Sequence, residues 1–165
     1  RRQRQMCIRD RNKPYLFGGD IYANESAGED YDIPGEALAD PDFAALIAEA
    51  EKYLGFPYVW GGSSPSTSFD CSGFVCYVYT HSGVHNLPRT TAQGIYNQCA
   101  HIPMSEAKPG DIIFFTGTYN SPGPVSHVGI YVGNNMMIHC GSPIQYARTD
   151  SSYWSQHFYA IGRLN

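Results

Sequence analysis

The chain has 165 residues, of which 42% are hydrophobic and 14% aromatic, and this predicts one domain with a sizeable core. No stretch approaches the run of about eighteen apolar residues that a membrane span needs, so no span is expected. The sequence has no basic start followed by an apolar stretch, so no signal peptide is indicated. If the protein is exported, the chain is a mature piece or an excised domain.

Charge is segregated at the N-terminal end of the chain. Residues 1–13 carry six of the eleven Lys and Arg residues, and residues 14–39 carry six acids and no base. The basic head lacks the aromatic and structural context of a nucleic-acid arm, so no nucleic acid is expected as a partner. We interpret residues 1–39 as a basic head with an acidic linker or N-terminal wrap, and residues 40–165 as the folded domain.

The first helix is predicted to begin at Asp40-Pro41, an N-cap followed by a proline suited to the first turn. Gly55 and Pro57 end the helical period. The apolar positions at helical spacing are Phe43, Leu46, Ile47, Ala50 and Leu54.

Two further helices follow. One is predicted from Cys71 to Gly83, and the other begins at the capping-box pattern of Thr90 and Gln93. The apolar face of the Cys71 helix is formed by Phe74, Val75, Val78 and Tyr79.

After Pro109-Gly110 the hydrophobic period becomes that of strands. Helices followed by an antiparallel sheet predict an α+β fold, with the helices packed on one side of five or six strands. The predicted strands cover residues 111–116, 126–132, 135–140, 144–148 and 158–164.

Five cysteines are present without the CxxC or HxxxH spacing of a zinc site, so neither a metal nor another cofactor is predicted. Cys71 differs from the others because it begins a helix after a polar loop, residues 63–68. The partial positive charge of a helix N-terminus favours thiolate over thiol, and its N–H groups suit an oxyanion. Cys71 is therefore a candidate nucleophile, whereas Cys76, Cys99 and Cys140 are expected to be small buried hydrophobic residues.

Two of the six histidines lie on predicted strands, His127 and His139, on either side of the turn 133–135. A hairpin with this three-residue loop pairs Gly129 with His139. His127 and His139 then project from one face as diagonal neighbours, whereas a slip of one residue separates them. In the first register His127 is the base for the thiol, and His139 orients its imidazole and fixes its tautomer. The alternative is that each is an ordinary core or surface histidine.

Other polar and aromatic positions have two interpretations each. Tyr58 and Trp60, beside Gly61-Gly62, either line a groove or fill the core. Arg89 either binds a substrate carboxylate or forms a surface ion pair.

Five ordered blocks of sequence resemble the NlpC/P60 family of papain-like cell-wall peptidases, over about residues 42–164. The chain is similar in particular to the peptidase half of bifunctional wall hydrolases carried by conjugative elements of Gram-positive bacteria. The blocks are FPYVWGG at 56–62, FDCSGFV at 69–75, LPRT at 87–90, KPGDIIFF at 108–115 and SHVGIYVG at 126–133.

The resemblance implies a papain-like NlpC/P60 fold with a Cys-His-His mechanism. Cys71 is then the nucleophile, His127 the base, His139 the third polar residue, and Tyr58 a neighbour that helps to stabilise the oxyanion. Asp70 and Ser72 match a pair that binds the free amine of the substrate in some members. The substrate-binding candidates are Asp70, Ser72, Trp60, Ser126 and Arg89.

The implied reaction is hydrolysis of an amide in a peptidoglycan stem peptide, typically from γ-D-glutamate to the diamino acid. The protein is then secreted or wall-associated, with a lysozyme-like or wall-binding domain preceding this one in a longer chain. A papain-like acyltransferase or deacylase and a silent wall-binding module are the alternatives. The long loop 116–125 before His127 is expected to shape the groove or act as a lid.

Overall fold

The computed structural model describes residues 31–164. The predicted basic head and most of the acidic linker lie outside the described residues, and the division at residue 39 stays a prediction. Within residues 31–39, Tyr31 donates a hydrogen bond to the carbonyl of Val132 at 3.1 Å. Its ring also packs against Tyr146, with the centroids 5.6 Å apart. This short part of the predicted wrap therefore lies against the domain.

Between residue 31 and the site, the structure has two helices. The first, α1 (Gly35–Leu38), was not predicted, and the second, α2 (Pro41–Glu51), begins where Asp40 accepts a hydrogen bond from the Asp42 N–H at 3.0 Å. The expectation that Leu54 belongs to the apolar face is wrong, because the helix ends earlier and Leu54 is 40% exposed.

Helix α3 (Cys71–His81) confirms the predicted start at the cysteine and carries the predicted apolar face, which is buried. Helix α4 (Ala92–Tyr96) begins one residue later than the capping box predicts. Its N-cap is Thr91, whose hydroxyl accepts the Gly94 N–H, while the Gln93 side chain accepts a hydrogen bond from the Val125 N–H.

The main sheet has six strands within residues 31–164, in the order β3-β8-β4-β5-β6-β7, and all its pairs are antiparallel. This confirms the α+β class. Two strands of two residues, β1 (Ser63–Ser64) and β2 (Ser68–Phe69), form a hairpin where only a polar loop was predicted. The strands of the main sheet are β3 (Ala100–Ile102), β4 (Ile112–Thr116), β5 (Val125–Gly133), β6 (Met136–Cys140), β7 (Ile144–Arg148) and β8 (Phe158–Arg163).

The β5–β6 hairpin has the predicted pairing of Gly129 with His139, but a shorter turn. A register shift between Tyr131 and Gly133 pairs Gly133 with Met136, so the loop has two residues and not three. These residues, Asn134 and Asn135, have φ values of 55° and 59°. Positive φ at both positions is what a type I′ hairpin turn requires, and asparagine tolerates it.

Helices cover both faces of the sheet, and not one as predicted. Successive strand residues point to opposite faces. Phe114 contacts Tyr96 of α4, whereas Phe115 contacts Trp154 at 4.6 Å between ring centroids. Trp154 belongs to α5 (Ser152–His157), which the sequence patterns did not indicate. The sheet face that carries Phe115 is therefore covered by the side chain of Trp154.

Candidate active site

The start of α3 is held close to the preceding loop by two glycines. The N–H of Asp70 donates to the carbonyl of Gly62 at 3.0 Å. A Cβ on Gly73 would lie 2.1 Å from the carbonyl oxygen of Gly62, so any larger residue would clash with backbone. This contact between backbones fixes where the first turn of α3, and with it Cys71, meets the sheet.

Cys71 lies in a polar but poorly solvated position, with 7% of its surface exposed. The backbone N–H groups of Ser72 and Val128 are directed at its Sγ. Burial, and next the negative charge of Asp70, nevertheless raise the thiol pKa to about 12. Burial therefore opposes the predicted effect of the helix terminus, which favours thiolate.

His127 and His139 form a buried pair. Nε2 of His127 lies 2.9 Å from Nδ1 of His139, and the two residues are 1% and 0% exposed. Burial, with a smaller effect of His139, lowers the pKa of His127 well below 6.5, so its imidazole is neutral at neutral pH. Because its Nε2 faces His139, Nδ1 is the nitrogen that remains for a thiol. The N–H directed at the Cys71 Sγ belongs to Val128, the residue that follows His127.

A tryptophan that motif reasoning missed covers this pair. The ring of Trp154 stacks on His127 at 5.1 Å between centroids and meets His139 edge-on at 5.2 Å. It is 2% exposed and comes from the short helix α5. No spacing relates it to the catalytic blocks, so only its rarity as one of two tryptophans could have drawn attention to it.

The predicted substrate-binding residues Asp70, Ser72 and Arg89 form one network. Asp70 accepts hydrogen bonds from the N–H groups of Gly73 at 2.7 Å and Gly61 at 3.0 Å. Its Oδ2 also pairs with Nη2 of Arg89 at 2.9 Å, and Nη1 of Arg89 donates to the Ser72 hydroxyl at 2.9 Å. Asp70 is thus the N-cap of α3 and a charge-compensated carboxylate beside the thiol.

A cavity of about 660 Å³ opens over Cys71, and all the predicted substrate-binding residues line it. Tyr58 lies in its wall and is 6% exposed. Trp60 is 48% exposed and meets the ring of Tyr119 edge-on at 5.3 Å, so it lines the groove and does not fill the core.

The loop between β4 and β5 forms the opposite wall of this cavity. It is anchored where the Ser126 hydroxyl contacts the Thr118 hydroxyl at 2.5 Å and accepts the Thr118 N–H at 3.0 Å. Ser126, predicted to bind substrate, lines the cavity, and its hydroxyl also holds this loop. The loop carries Tyr119, whose pKa is raised by burial and then by the nearby Cys71 and Asp70.

Across residues 31–164, no helix is long and apolar enough to cross a membrane. In the same part of the chain, His, Cys, Asp and Glu side chains form no group of three suited to a metal ion.

A cysteine at a helix start and a buried histidine pair on an adjoining hairpin are the features predicted from the resemblance to papain-like peptidases. Residues 55–163 match the NlpC/P60 family, and the chain belongs to that family. The family and peptidase class predicted from the sequence are confirmed.

Two curated relatives and one solved structure illustrate the similarity. The bifunctional muramidase/DL-endopeptidase CwlT of Bacillus subtilis is 45% identical over 123 residues, which cover 74% of this chain and 36% of that protein. The murein DD-endopeptidase MepH of Escherichia coli is 41% identical over 68% of this chain and 42% of its own length. A lipoprotein-like NLP/P60 protein of Staphylococcus aureus superposes with a TM-score of 0.73 at 42% identity, covering 84% of this chain and 44% of that one. The matched part of the chain thus spans less than half the length of each of these three proteins.

Proposed function

We propose that this domain is a peptidoglycan endopeptidase that hydrolyses an amide bond of the stem peptide. The observation that carries the proposal is that Cys71 lines the cavity while the N–H of Val128, the neighbour of His127 in the buried His127–His139 pair, is directed at its Sγ. A binding module has no need of a thiol and two imidazoles placed together. Secretion or attachment to the wall, and a lysozyme-like or wall-binding domain elsewhere in a longer protein, belong to the same proposal.

The raised pKa of Cys71 and the lowered pKa of His127 indicate the protonation state from which the reaction starts. In the free enzyme the pair is a thiol and a neutral imidazole, so His127 acts as a general base. Its Nδ1 takes the thiol proton as Sγ attacks the amide carbonyl. His139 accepts the Nε2–H of His127 and thereby holds the imidazole in the tautomer whose Nδ1 lone pair is available.

The tetrahedral intermediate forms next to the start of α3. Its oxyanion is stabilised there by backbone N–H groups and by the hydroxyl of Tyr58, which lines the same cavity. The imidazolium then gives its proton to the leaving amine, and the carbon–nitrogen bond breaks to leave a thioester on Cys71. Water, deprotonated by His127, hydrolyses the thioester and releases the carboxylate.

The bond is proposed to be that between γ-D-glutamate and the diamino acid. CwlT is named a DL-endopeptidase, and it is 45% identical over 74% of this chain. MepH, at 41% identity, is named a DD-endopeptidase, so cleavage between two D-residues is the second candidate.

The test is digestion of purified peptidoglycan with the wild type and with Cys71→Ala. Mass spectrometry should show new amine and carboxyl ends at one bond with the wild type and none with Cys71→Ala. Cys99→Ala, which removes a partly exposed thiol outside the cavity, is the matched control and should retain activity. Hydrolysis by Cys71→Ala would overturn the proposal, and an acyl adduct in place of hydrolysis would identify an acyltransferase.

A further inference from the structure

The contact between the two histidines determines where their protons must be. To accept the thiol proton, His127 needs a lone pair on Nδ1, so its own proton resides on Nε2. That Nε2–H points to Nδ1 of His139, 2.9 Å away, and Nδ1 must accept it. A neutral His139 then carries its proton on Nε2, and this N–H is a donor inside the protein. A buried donor needs an acceptor.

The sheet brings one polar acceptor to the correct face. In the register of the strands, Phe115 is opposite His127, and His139 is opposite Gln145. Since Gly129, two residues after His127, is opposite His139, these four side chains share one face of the sheet. Residues directly opposite each other have Cβ atoms about 4.5–5.5 Å apart, within reach of a glutamine side chain.

The amide of Gln145 is oriented by its nitrogen. Nε2 donates to the carbonyl of Pro143 at 3.0 Å, which leaves Oε1 on the other side of the amide. The residue is 5% exposed, and Oε1 accepts no hydrogen bond from any residue of the 31–164 part of the chain. A buried carbonyl oxygen without a donor is destabilising, so its position beside a histidine pair calls for a functional explanation.

We propose that Gln145 is a positioning residue of the active site, whose Oε1 accepts the Nε2–H of His139 during catalysis. This rests on the proposed role of His127 as the base. The resulting order is Cys71, His127, His139, Gln145, with one proton between each pair of neighbours. The hydrogen bond between His139 and Gln145 is not formed in this structure, and hydrogen bonds of catalytic groups often tighten only with substrate bound.

The role differs from that of a structural core residue in what it controls. Without an acceptor at position 145, His139 gains by moving its proton to Nδ1. It then presents an N–H to Nε2 of His127 and forces the His127 proton onto Nδ1, where the thiol proton has to go. His127 then carries its proton on Nδ1 and cannot accept the thiol proton there, while the substrate groove is unchanged.

The experiment combines imidazole ¹⁵N NMR with steady-state kinetics on a soluble stem peptide. Signals of the two histidines are assigned with His139→Asn. In the wild type, we expect His139 protonated on Nε2. Gln145→Met is similar in length but lacks an acceptor, so it should shift His139 toward the Nδ1–H form. We expect kcat to fall about 10–100-fold at constant KM, the range typical for loss of a hydrogen-bond partner that orients a metal-ligating histidine. Gln145→Glu keeps an acceptor oxygen and should restore most of the wild-type His139 tautomer and most of kcat.

The NMR measurement separates this inference from the proposed function. A wild-type spectrum with the His139 proton on Nδ1 overturns the role of Gln145, even if Gln145→Met does not fold. So does a folded Gln145→Met with wild-type tautomers and kcat. If the tautomer shifts in Gln145→Met but no Cys71-dependent hydrolysis is found, the positioning role stands and the proposed peptidase activity fails.

Discussion

Trp154 stacks on the imidazole of His127, with 5.1 Å between the ring centroids and 26° between the planes. The stack excludes water from the His127–His139 hydrogen bond and limits rotation of the base. We expect Trp154→Ala to lower kcat more than it changes KM, and to cost about 3–5 kcal/mol of stability because the side chain is buried. Trp154→Phe should retain more of the wild-type kcat and more of the stability than Trp154→Ala. Urea unfolding and steady-state kinetics measure these effects, and equal kcat in Trp154→Ala would contradict them.

The close approach of Gly62 and Gly73 predicts a sharp response to one methyl group. Gly73→Ala places a Cβ 2.1 Å from a backbone oxygen, so α3 must shift. We expect a large fall in melting temperature and loss of activity. Gly35→Ala is the matched control, because its Cβ meets nothing within 4 Å in the first turn of α1. Equal melting temperatures of the two variants would be inconsistent with the role of this contact.

The ion pair of Arg89 with Asp70 predicts an electrostatic effect on the thiol. Arg89 lowers the pKa of Cys71, whereas Asp70 raises it. Arg89→Ala leaves the carboxylate uncompensated, so we expect the thiol pKa to rise and alkylation by iodoacetamide at a fixed pH to slow. Arg148→Ala removes a comparable exposed pair with Asp150 and should leave that rate unchanged. Faster alkylation in Arg89→Ala would contradict the prediction.

The buried neutral state of His127 predicts a dependence of stability on pH. An unfolded histidine has a pKa of about 6.5 and binds a proton below it, whereas His127 in the folded protein does not until a much lower pH. Its contribution to stability is complete above pH ~6.5 and falls as the pH decreases toward the folded pKa, by at most about 1.4 kcal/mol per pH unit. Urea unfolding of the wild type and of His127→Gln across this window isolates the effect. The acid limb of kcat/KM should also lie well below pH 6.5.

The contact of Trp60 with Tyr119 predicts that the β4–β5 loop controls access to the groove. Tyr119→Ala removes the ring that meets Trp60 and widens the opening above Cys71. We expect a several-fold higher KM for a short stem peptide and little change in kcat. Tyr159→Ala, at an exposed tyrosine outside the cavity, is the control. A changed kcat with constant KM would assign Tyr119 to the chemistry and not to binding.

Much of the fold, and the placement of the proposed catalytic residues in it, could be predicted from local pattern. The start of α3 and the pairing of Gly129 with His139 were predicted because helix caps and strand alternation depend on nearby residues. The register shift beyond Tyr131 was not predicted, because both asparagines accept positive φ and a shorter turn still keeps His139 in register.

The other features depend on contacts between distant parts of the chain. Trp154 reaches the histidines only through the path of α5, which has no strong period. The protonation state of Cys71 depends on burial, and the sequence offers only the opposing influence of the helix end. The contact of Ser126 with Thr118 across the loop was likewise not predicted.

Asp70 illustrates a limit on mutagenesis at this site. Its carboxylate caps α3 through Gly73, holds the Gly61 N–H and pairs with Arg89. Removing it would disturb the nucleophile's helix whether or not the residue ever touches a substrate amine. Its share in recognition has to be measured from the other partner, by comparing stem peptides with a free and an acetylated N-terminus on the unmodified enzyme.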